Sequence, residues 1–223
     1  LVPGHTRPLF GRALIAHTLT DYRDGISYVY DQSIRLINQG LLPDEVAARI
    51  HLPPHLARSP YLQEFYGKAS WSAKSIFGGN LGWFSGDPAD LQPLPPAQVA
   101  HRMVQLAGGQ AALDDRIDDA LKHGDTQWAL RLTGYALRNT PGDTRARTAR
   151  IAALQTLGNA EANAPARAYY LMSAGVLAGD FKLPSRAVLP TPAMLRAMPL
   201  SLFFDGMEVN LHAEDWLDEV VKT

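Results

Sequence analysis

The sequence predicts a mostly α-helical fold, and three features of it support this. Apolar residues recur at alternating spacings of four and three from Ile15 to Leu36, a pattern typical of a helix that packs lengthwise on another. From Gln110 onward, amphipathic segments follow one another, separated by short turns that carry Gly or Pro. Of the 223 residues, 46% are hydrophobic and 19% are charged, which is enough apolar material to bury a core.

The first predicted helix is about thirty residues long, well above the average for globular domains. Gly25 interrupts it, at a cost of about 1 kcal/mol relative to Ala. Asn38-Gln39-Gly40 ends it, with glycine in the usual place beyond a helix C-terminus. Its seam fits a dimer interface and a central helix of one bundle equally well. The members of the seam are Ile15, Leu19, Tyr22, Ile26 and Val29, continued by Ser33 and Leu36.

The next seventy or so residues mix short helices with irregular chain, because prolines and glycines punctuate them. Pro43-Asp44-Glu45 opens a short helix, since proline suits a first turn and acids suit the positive end of the helix dipole. The rest is predicted as irregular chain over 51–68, a helix over 69–77 that ends at Gly78-Gly79-Asn80, an aromatic turn-rich segment from Leu81 to Pro88, a Pro-rich boundary from Pro93 to Pro96 and a helix over 97–107.

The second half is predicted as helical hairpins. Gly124 and Gly158 lie 34 residues apart, with two helices between them that are broken at Thr140-Pro141-Gly142-Asp143, and this layout resembles a tetratricopeptide repeat. About one and a half such units are present, whereas an independent array needs about three. Ordinary bundle helices and a peptide-binding groove both remain open. The predicted helices are Ala111–Lys122, Thr126–Arg138, Thr144–Leu157 and Pro165–Leu177.

Both ends of the chain suggest a part of something longer. The chain opens at Leu1 without Met or a basic-then-apolar leader, so we expect a removed leader or a piece of a longer protein. Prolines over 180–192 indicate a linker, and Met194 to Phe204 suggests one helix. Asp205 to Leu211 alternates polar and apolar residues and could begin a strand. A single strand is not stable alone, so we expect the start of another domain.

Composition excludes several functional classes. There are 21 Lys+Arg and 22 Asp+Glu, a net charge of −1, which argues against a broad nucleic-acid or membrane-surface patch. The absence of cysteine excludes disulfides, thiolate zinc sites and cysteine nucleophiles. No apolar run reaches the roughly eighteen residues that a membrane-spanning helix needs. The sequence contains neither a phosphate-binding glycine loop nor a Gly-x-Ser-x-Gly elbow.

The residues alone show no complete metal site. None of the seven histidines forms a His-x-His or His-Glu-x-x-His cluster. His51 and His55 are separated by Pro53 and Pro54, which break the helix that would bring the imidazoles together. An acidic group lies on one predicted helix, where a solvated face is favoured over a carboxylate site. Its members are Asp114, Asp115, Asp118 and Asp119.

Several segments match a known family as a set. They are Gly4-His5-Thr6-Arg7-Pro8, Tyr22-Arg23-Asp24, the run from Asp31 to Gly40, Glu64-Phe65-Tyr66-Gly67, Leu81-Gly82-Trp83-Phe84 with Gly86 and Pro88, Pro93-Leu94-Pro95-Pro96, Gly124-Asp125 with Trp128, and Arg167 with Tyr169-Tyr170-Leu171. In this order and spacing, over roughly residues 3 to 210, the chain resembles the alkylsulfatases of the metallo-β-lactamase superfamily.

The resemblance implies a division of the chain. Residues 1–8 would be the tail of an α/β metallo-β-lactamase-like catalytic domain that carries two zinc ions. Residues 9–180 would be a helical dimerisation domain with tetratricopeptide-like hairpins. A linker over 181–191 would lead to residues 192–223, the truncated start of an α+β sterol-carrier-like domain. The long seam would then be the interface of a homodimer.

The resemblance also implies site residues. His5 stands three residues before Pro8, where the family has a zinc ligand, although Thr6-Arg7 replaces the usual middle pair. Trp71 occupies the place of a family His that assists at the leaving-group oxygen, and tryptophan cannot shuttle a proton. The exact sulfate ester is therefore left open. Tyr66, Trp71 and Trp83 are candidates for the substrate entrance, with aromatic core residues as the alternative.

The function implied is zinc-assisted hydrolysis of alkyl sulfate esters by a parent enzyme. This chain alone is expected to be inactive, since the His-x-His-x-Asp-His cluster is absent from it. The alternative is a tetratricopeptide-like interaction module without catalysis. Periplasmic and cytoplasmic locations both remain open.

Overall fold

The computed structural model describes residues 1–5, 7–182, 191–208, 211, 212 and 215. Every regular element among these residues is helical, which confirms the predicted fold class. The chain divides into two compact units, Leu1–Phe181 and Lys182–Thr223. The helices are α1 Arg12–Asn38, α2 Pro43–Arg49, α3 Pro54–Ala57, α4 Ala69–Leu81, α5 Pro96–Ala107, α6 Gln110–Lys122, α7 Thr126–Asn139, α8 Thr144–Ala160, α9 Ala164–Ala178, α10 Pro192–Ala197 and α11 Leu200–Glu208, with a 3-10 turn at Pro88–Asp90.

The C-terminal half of α1 packs on α2 and α4. Their buried cluster consists of Val29, Leu36, Val46, Ile50 and Ala73. A methyl group added at Gly25 would lie 3.3 Å from Leu62 Cδ1, so the bare backbone allows Leu62 to approach the helix. This contact accounts for a glycine in the middle of a long helix.

Helices α5 to α9 pack as successive hairpins. Their core includes Val104, Leu113, Ile117, Leu132, Ala136, Ala146 and Ala149. Three of the helix starts have side-chain caps: Asp125 accepts from the Trp128 amide, Asp143 from Ala146 and Asn163 from Ala166. These caps explain why α7, α8 and α9 begin close to the predicted positions.

Two predicted boundaries in the first unit were wrong. Helix α4 continues through Gly78-Gly79-Asn80 and ends at Leu81, where Gly82 adopts φ 81° and donates to Gly78 O. A pair of glycines was not enough to stop the helix. The segment 51–68, predicted as irregular, contains the short helix α3.

In the second unit, the single helix expected over Met194 to Phe204 is two helices, because Pro199 disfavours helical backbone at Met198 before it. The strand expected from Asp205 was also wrong in its first four residues, which belong to α11. Val209 and Asn210 lie outside the described residues, as do Thr6 and positions 183–190 of the predicted linker.

Candidate functional site at the His5 groove

A groove of about 530 Å³ lies between α1, the segment 60–68 and the start of α4. We call it the His5 groove. Its walls are largely apolar and aromatic, with a few polar groups at the rim. Among its lining residues are His5, Tyr22, Ile26, Leu52, Tyr66 and Ile76.

His5 and Tyr66 meet at the rim of this groove. Their ring centroids are 3.9 Å apart and their planes are inclined by 15°, so the rings are stacked. Two backbone hydrogen bonds join Leu1 to Leu9, and Leu9 is 1% exposed. The fold thus brings His5 against Tyr66, although 61 positions separate the two in sequence.

The other two predicted substrate residues lie elsewhere. Trp71 is 41% exposed on the first turn of α4, and Lys68 Nζ stands 5.7 Å from its ring centroid. Trp83 is 79% exposed and contacts Phe84, with ring centroids 5.7 Å apart. Neither belongs to the residues that line the His5 groove. The structure therefore joins Tyr66 to His5 and leaves the two tryptophans outside the groove.

The segment that carries Tyr66 is bound to the corner between α8 and α9. Asn163 is fully buried, and its Nδ2 donates to Glu64 O at 2.9 Å and to Gly67 O at 3.3 Å. The Ala164 amide donates to Phe65 O at 2.8 Å. We call these contacts, together with the ion pair described next, the corner contacts.

The ion pair joins Lys68 Nζ to Glu161 Oε2 at 2.7 Å, and both side chains are largely buried. The hydrogen bond from Lys68 and a further one from the Asn163 amide lower the pKa of Glu161. Glu161 is thus ionised at neutral pH and holds Lys68 beside Trp71. Sequence reasoning missed both Glu161 and Asn163. The pattern Asn163-Ala164-Pro165 signals a helix start, but nothing local indicates its partners almost a hundred residues away.

The described part of the chain does not by itself fit a zinc ion. No group of three or more His, Asp or Glu side chains in it could hold a metal. A protein zinc site takes three or four such ligands. Among the described residues, His5 is the donor that the resemblance assigns to this zinc.

The predicted seam on α1 divides into two parts. Val29 is 8% exposed and belongs to the core of the first unit, together with Leu36. Leu19, Ile26 and Tyr30 are 50%, 67% and 45% exposed, and their spacings of seven and four place them on one face. Ile15 and Tyr22 are of intermediate exposure. We call Leu19, Ile26 and Tyr30 the α1 stripe; the seam pattern had not included Tyr30.

A second groove, of about 480 Å³, lies among α5, α6 and α7. Leu106, 80% exposed, and Trp128, 47% exposed, contribute apolar surface to it. Arg116, Asp119 and His123 give it a mixed charged rim. This is where the interaction-module alternative would place a peptide.

Comparison with known proteins agrees with the helical architecture. Residues 42–180 match the family described as alkyl sulfatase dimerisation. A linear primary-alkylsulfatase from Pseudomonas sp. (strain ATCC 19151) is 41% identical over 96% of this chain. An (R)-specific secondary-alkylsulfatase from Pseudomonas sp. is 30% identical, and an alkyl/aryl-sulfatase from Saccharomyces cerevisiae 28% identical, each over 96% of the chain.

Solved structures give the same result. The stereoselective inverting sec-alkylsulfatase from Pseudomonas sp. superposes with a TM-score of 0.82 and 31% identity over 89% of the chain. A double mutant of a sec-alkyl sulfatase superposes with a TM-score of 0.86 and 30% sequence identity over 94% of the chain. The fold and these matches define an alkylsulfatase-related helical domain. The chain belongs to the alkyl sulfatase dimerisation family.

The chain spans 42% of the primary-alkylsulfatase and about a third of the other relatives and solved structures. The described helices include none that is long and apolar enough to cross a membrane.

Proposed function

We propose that this chain joins two subunits of an alkylsulfatase-like hydrolase into a homodimer through the exposed face of α1 that carries the α1 stripe. The observation that carries the proposal is the exposure of the α1 stripe beside a helix face that is already buried. A large apolar stripe left on a helix of a folded domain favours a partner. A second copy is the partner that the family description supports.

Burial of the α1 stripe would contribute a free energy comparable with the cost of dimer formation. Full burial of one Leu or Ile side chain contributes about 1.5–3 kcal/mol, and Leu19 and Ile26 are 50% and 67% exposed, so burying what remains on two subunits supplies on the order of 4–7 kcal/mol. A two-fold interface uses each residue twice. Association itself costs about 4–15 kcal/mol, so loss of these contacts is enough to dissociate the dimer.

Analytical ultracentrifugation tests the proposal. The wild-type chain should sediment at twice the 24.4 kDa of one chain. The double variant Leu19→Asp with Ile26→Asp should sediment as a folded monomer, since neither side chain is buried within the chain. The matched control is Thr20→Asp with Ser27→Asp. These exposed positions also lie seven apart, but about 100° around the helix from the stripe.

The control should remain dimeric. Dissociation of both double variants would indicate a charge effect without a defined interface. A dimeric Leu19/Ile26 variant would place the interface elsewhere and overturn the proposal.

We further propose that the rim formed by His5 and Tyr66 adjoins the catalytic centre of the parent hydrolase. His5 would supply one zinc ligand, and zinc, when bound, would polarise the sulfate ester and activate water. Tyr66, Trp71 and Trp83 would contact the alkyl portion, since aromatic side chains offer apolar area that tolerates different chain lengths.

Tryptophan fluorescence tests the substrate contacts in this chain. Addition of decyl sulfate below its micellar concentration should shift the emission, and the shift should shrink in Trp71→Phe and Trp83→Phe. Trp128→Phe, on the α5–α7 groove, is the control and should keep the shift. A shift that disappears only with Trp128→Phe would assign binding to that groove.

A further inference from the structure

The corner contacts include hydrogen bonds to the turn 64–67 that are not needed to cap α9. We propose that Asn163 is a positioning residue: its side-chain amide fixes the turn 64–67 so that Tyr66 lies flat against His5. The importance of this for catalysis rests on the proposed function of the His5–Tyr66 rim. The geometric relation itself does not depend on it.

The amide of Asn163 holds the backbone on both sides of Tyr66. It donates to Glu64 O, two residues before, and to Gly67 O, one residue after. Phe65 O, between them, accepts from Ala164 N–H. Tyr66 is 56% exposed, so packing holds less than half of its surface and its backbone must fix its direction.

The choice of residue separates this role from helix capping. Asn163 Oδ1 accepts from the Ala166 amide at 3.1 Å, which caps α9. Asp would cap a helix start equally well. A carboxylate cannot donate, however, so only the amide can both cap α9 and bind two carbonyls of the turn. Full burial of Asn163 makes each of these bonds costly to lose.

The NMR signals of the His5 ring test the inference directly. A ring stacked at 3.9 Å is shifted upfield by the current of its neighbour, and Tyr66→Ala gives the value without the stack. At fixed pH, Asn163→Asp should move the His5 signals to the Tyr66→Ala value while leaving the amide exchange of α9 unchanged. Asn163→Ala should move the same signals and also loosen the start of α9.

The matched control is Asp125→Ala, which removes the cap of α7. It should leave the His5 signals at their wild-type positions. Wild-type His5 signals in Asn163→Asp would overturn the inference, and so would equal displacement by Asp125→Ala. If Asn163→Asp does not fold, Glu161→Gln provides the test, because it weakens the contact that holds Lys68 at the corner. The His5 signals should then move part of the way toward the Tyr66→Ala value. Unchanged His5 signals would count against the positioning role.

This readout needs neither substrate nor metal. Failure of Asn163→Asp to move the His5 signals would reject the positioning role alone. Failure of decyl sulfate to change the tryptophan emission would reject the substrate assignment alone.

Discussion

Asp114 is a buried carboxyl group that should make the domain less stable at neutral pH than in mild acid. It lies on α6, is 6% exposed, and its Oδ1 has no hydrogen-bond partner among the described residues. Burial, followed by the charge of Asp143, raises its pKa from 3.8 to about 6. Burial alone would also raise the pKa of Asp143, but hydrogen bonds from Ala146 N–H and Gln110 outweigh it and lower that pKa.

The sign follows from proton binding. Between about pH 4 and pH 6 the folded state holds a proton on Asp114 that the unfolded state has lost, so the free energy of unfolding falls as pH rises. Each unit of pKa difference corresponds to 1.36 kcal/mol, so the loss is about 3 kcal/mol by pH 7. Asp143 acts in the opposite direction and only at lower pH, because its folded-state pKa lies below the unfolded value.

Urea denaturation of Asp114→Asn at pH 4.5 and 7.5, at equal protein concentration, measures this effect. The variant should be more stable than wild type by about 3 kcal/mol at pH 7.5 and by only about 1 kcal/mol at pH 4.5. The control Asp115→Asn removes the same charge one residue further on, from an exposed side chain paired with Arg145. It should show no such pH-dependent gain. An Asp114→Asn effect that is equal at both pH values would refute the assignment of the raised pKa.

Two pairs of substitutions test the packing. Gly158→Ala should destabilise the domain by about 1–3 kcal/mol in urea denaturation, because the added carbon would lie 2.7 Å from Leu171 Cδ2. Gly79→Ala, also within a helix but with open space around it, should stabilise by about 0.5–1 kcal/mol. Leu113→Ala, 2% exposed, should cost about 2–5 kcal/mol. Leu106→Ala, 80% exposed, should change stability by less than about 0.5 kcal/mol; equal effects within either pair would contradict the packing described.

The helical class could be predicted from the sequence because its signals are local. Apolar spacing identified α1, Pro43 and the acids after it identified α2, and the Pro-rich run before it identified α5. Amphipathic segments separated by turns that carry Gly or Pro identified α6 to α9. The end of α4 could not be predicted from Gly78 and Gly79. Glycine weakens a helix, but it ends the helix only where another backbone conformation is more stable. Pro199, by contrast, is a local signal for the break between α10 and α11.

The candidate site was harder to predict from the sequence, because its contacts join residues far apart in the chain. The resemblance singled out His5 and Tyr66 separately, and only the folded chain stacks them. The seam pattern could not show that Val29 is covered by the chain's own helices while Ile26 remains exposed. The dual use of Asn163 depends on carbonyls nearly a hundred residues away, which no local pattern indicates.

The most direct test of the account is to identify which methyl groups meet across the dimer. Chains with ¹³C-labelled Leu and Ile methyls are mixed with unlabelled chains, and intermolecular nuclear Overhauser effects are recorded from the mixed dimers. We expect them from Leu19 and Ile26 and not from Leu113, which is buried in the α5–α9 core. Intermolecular effects from Leu106 on the α5–α7 groove, with none from Leu19 or Ile26, would contradict association through α1.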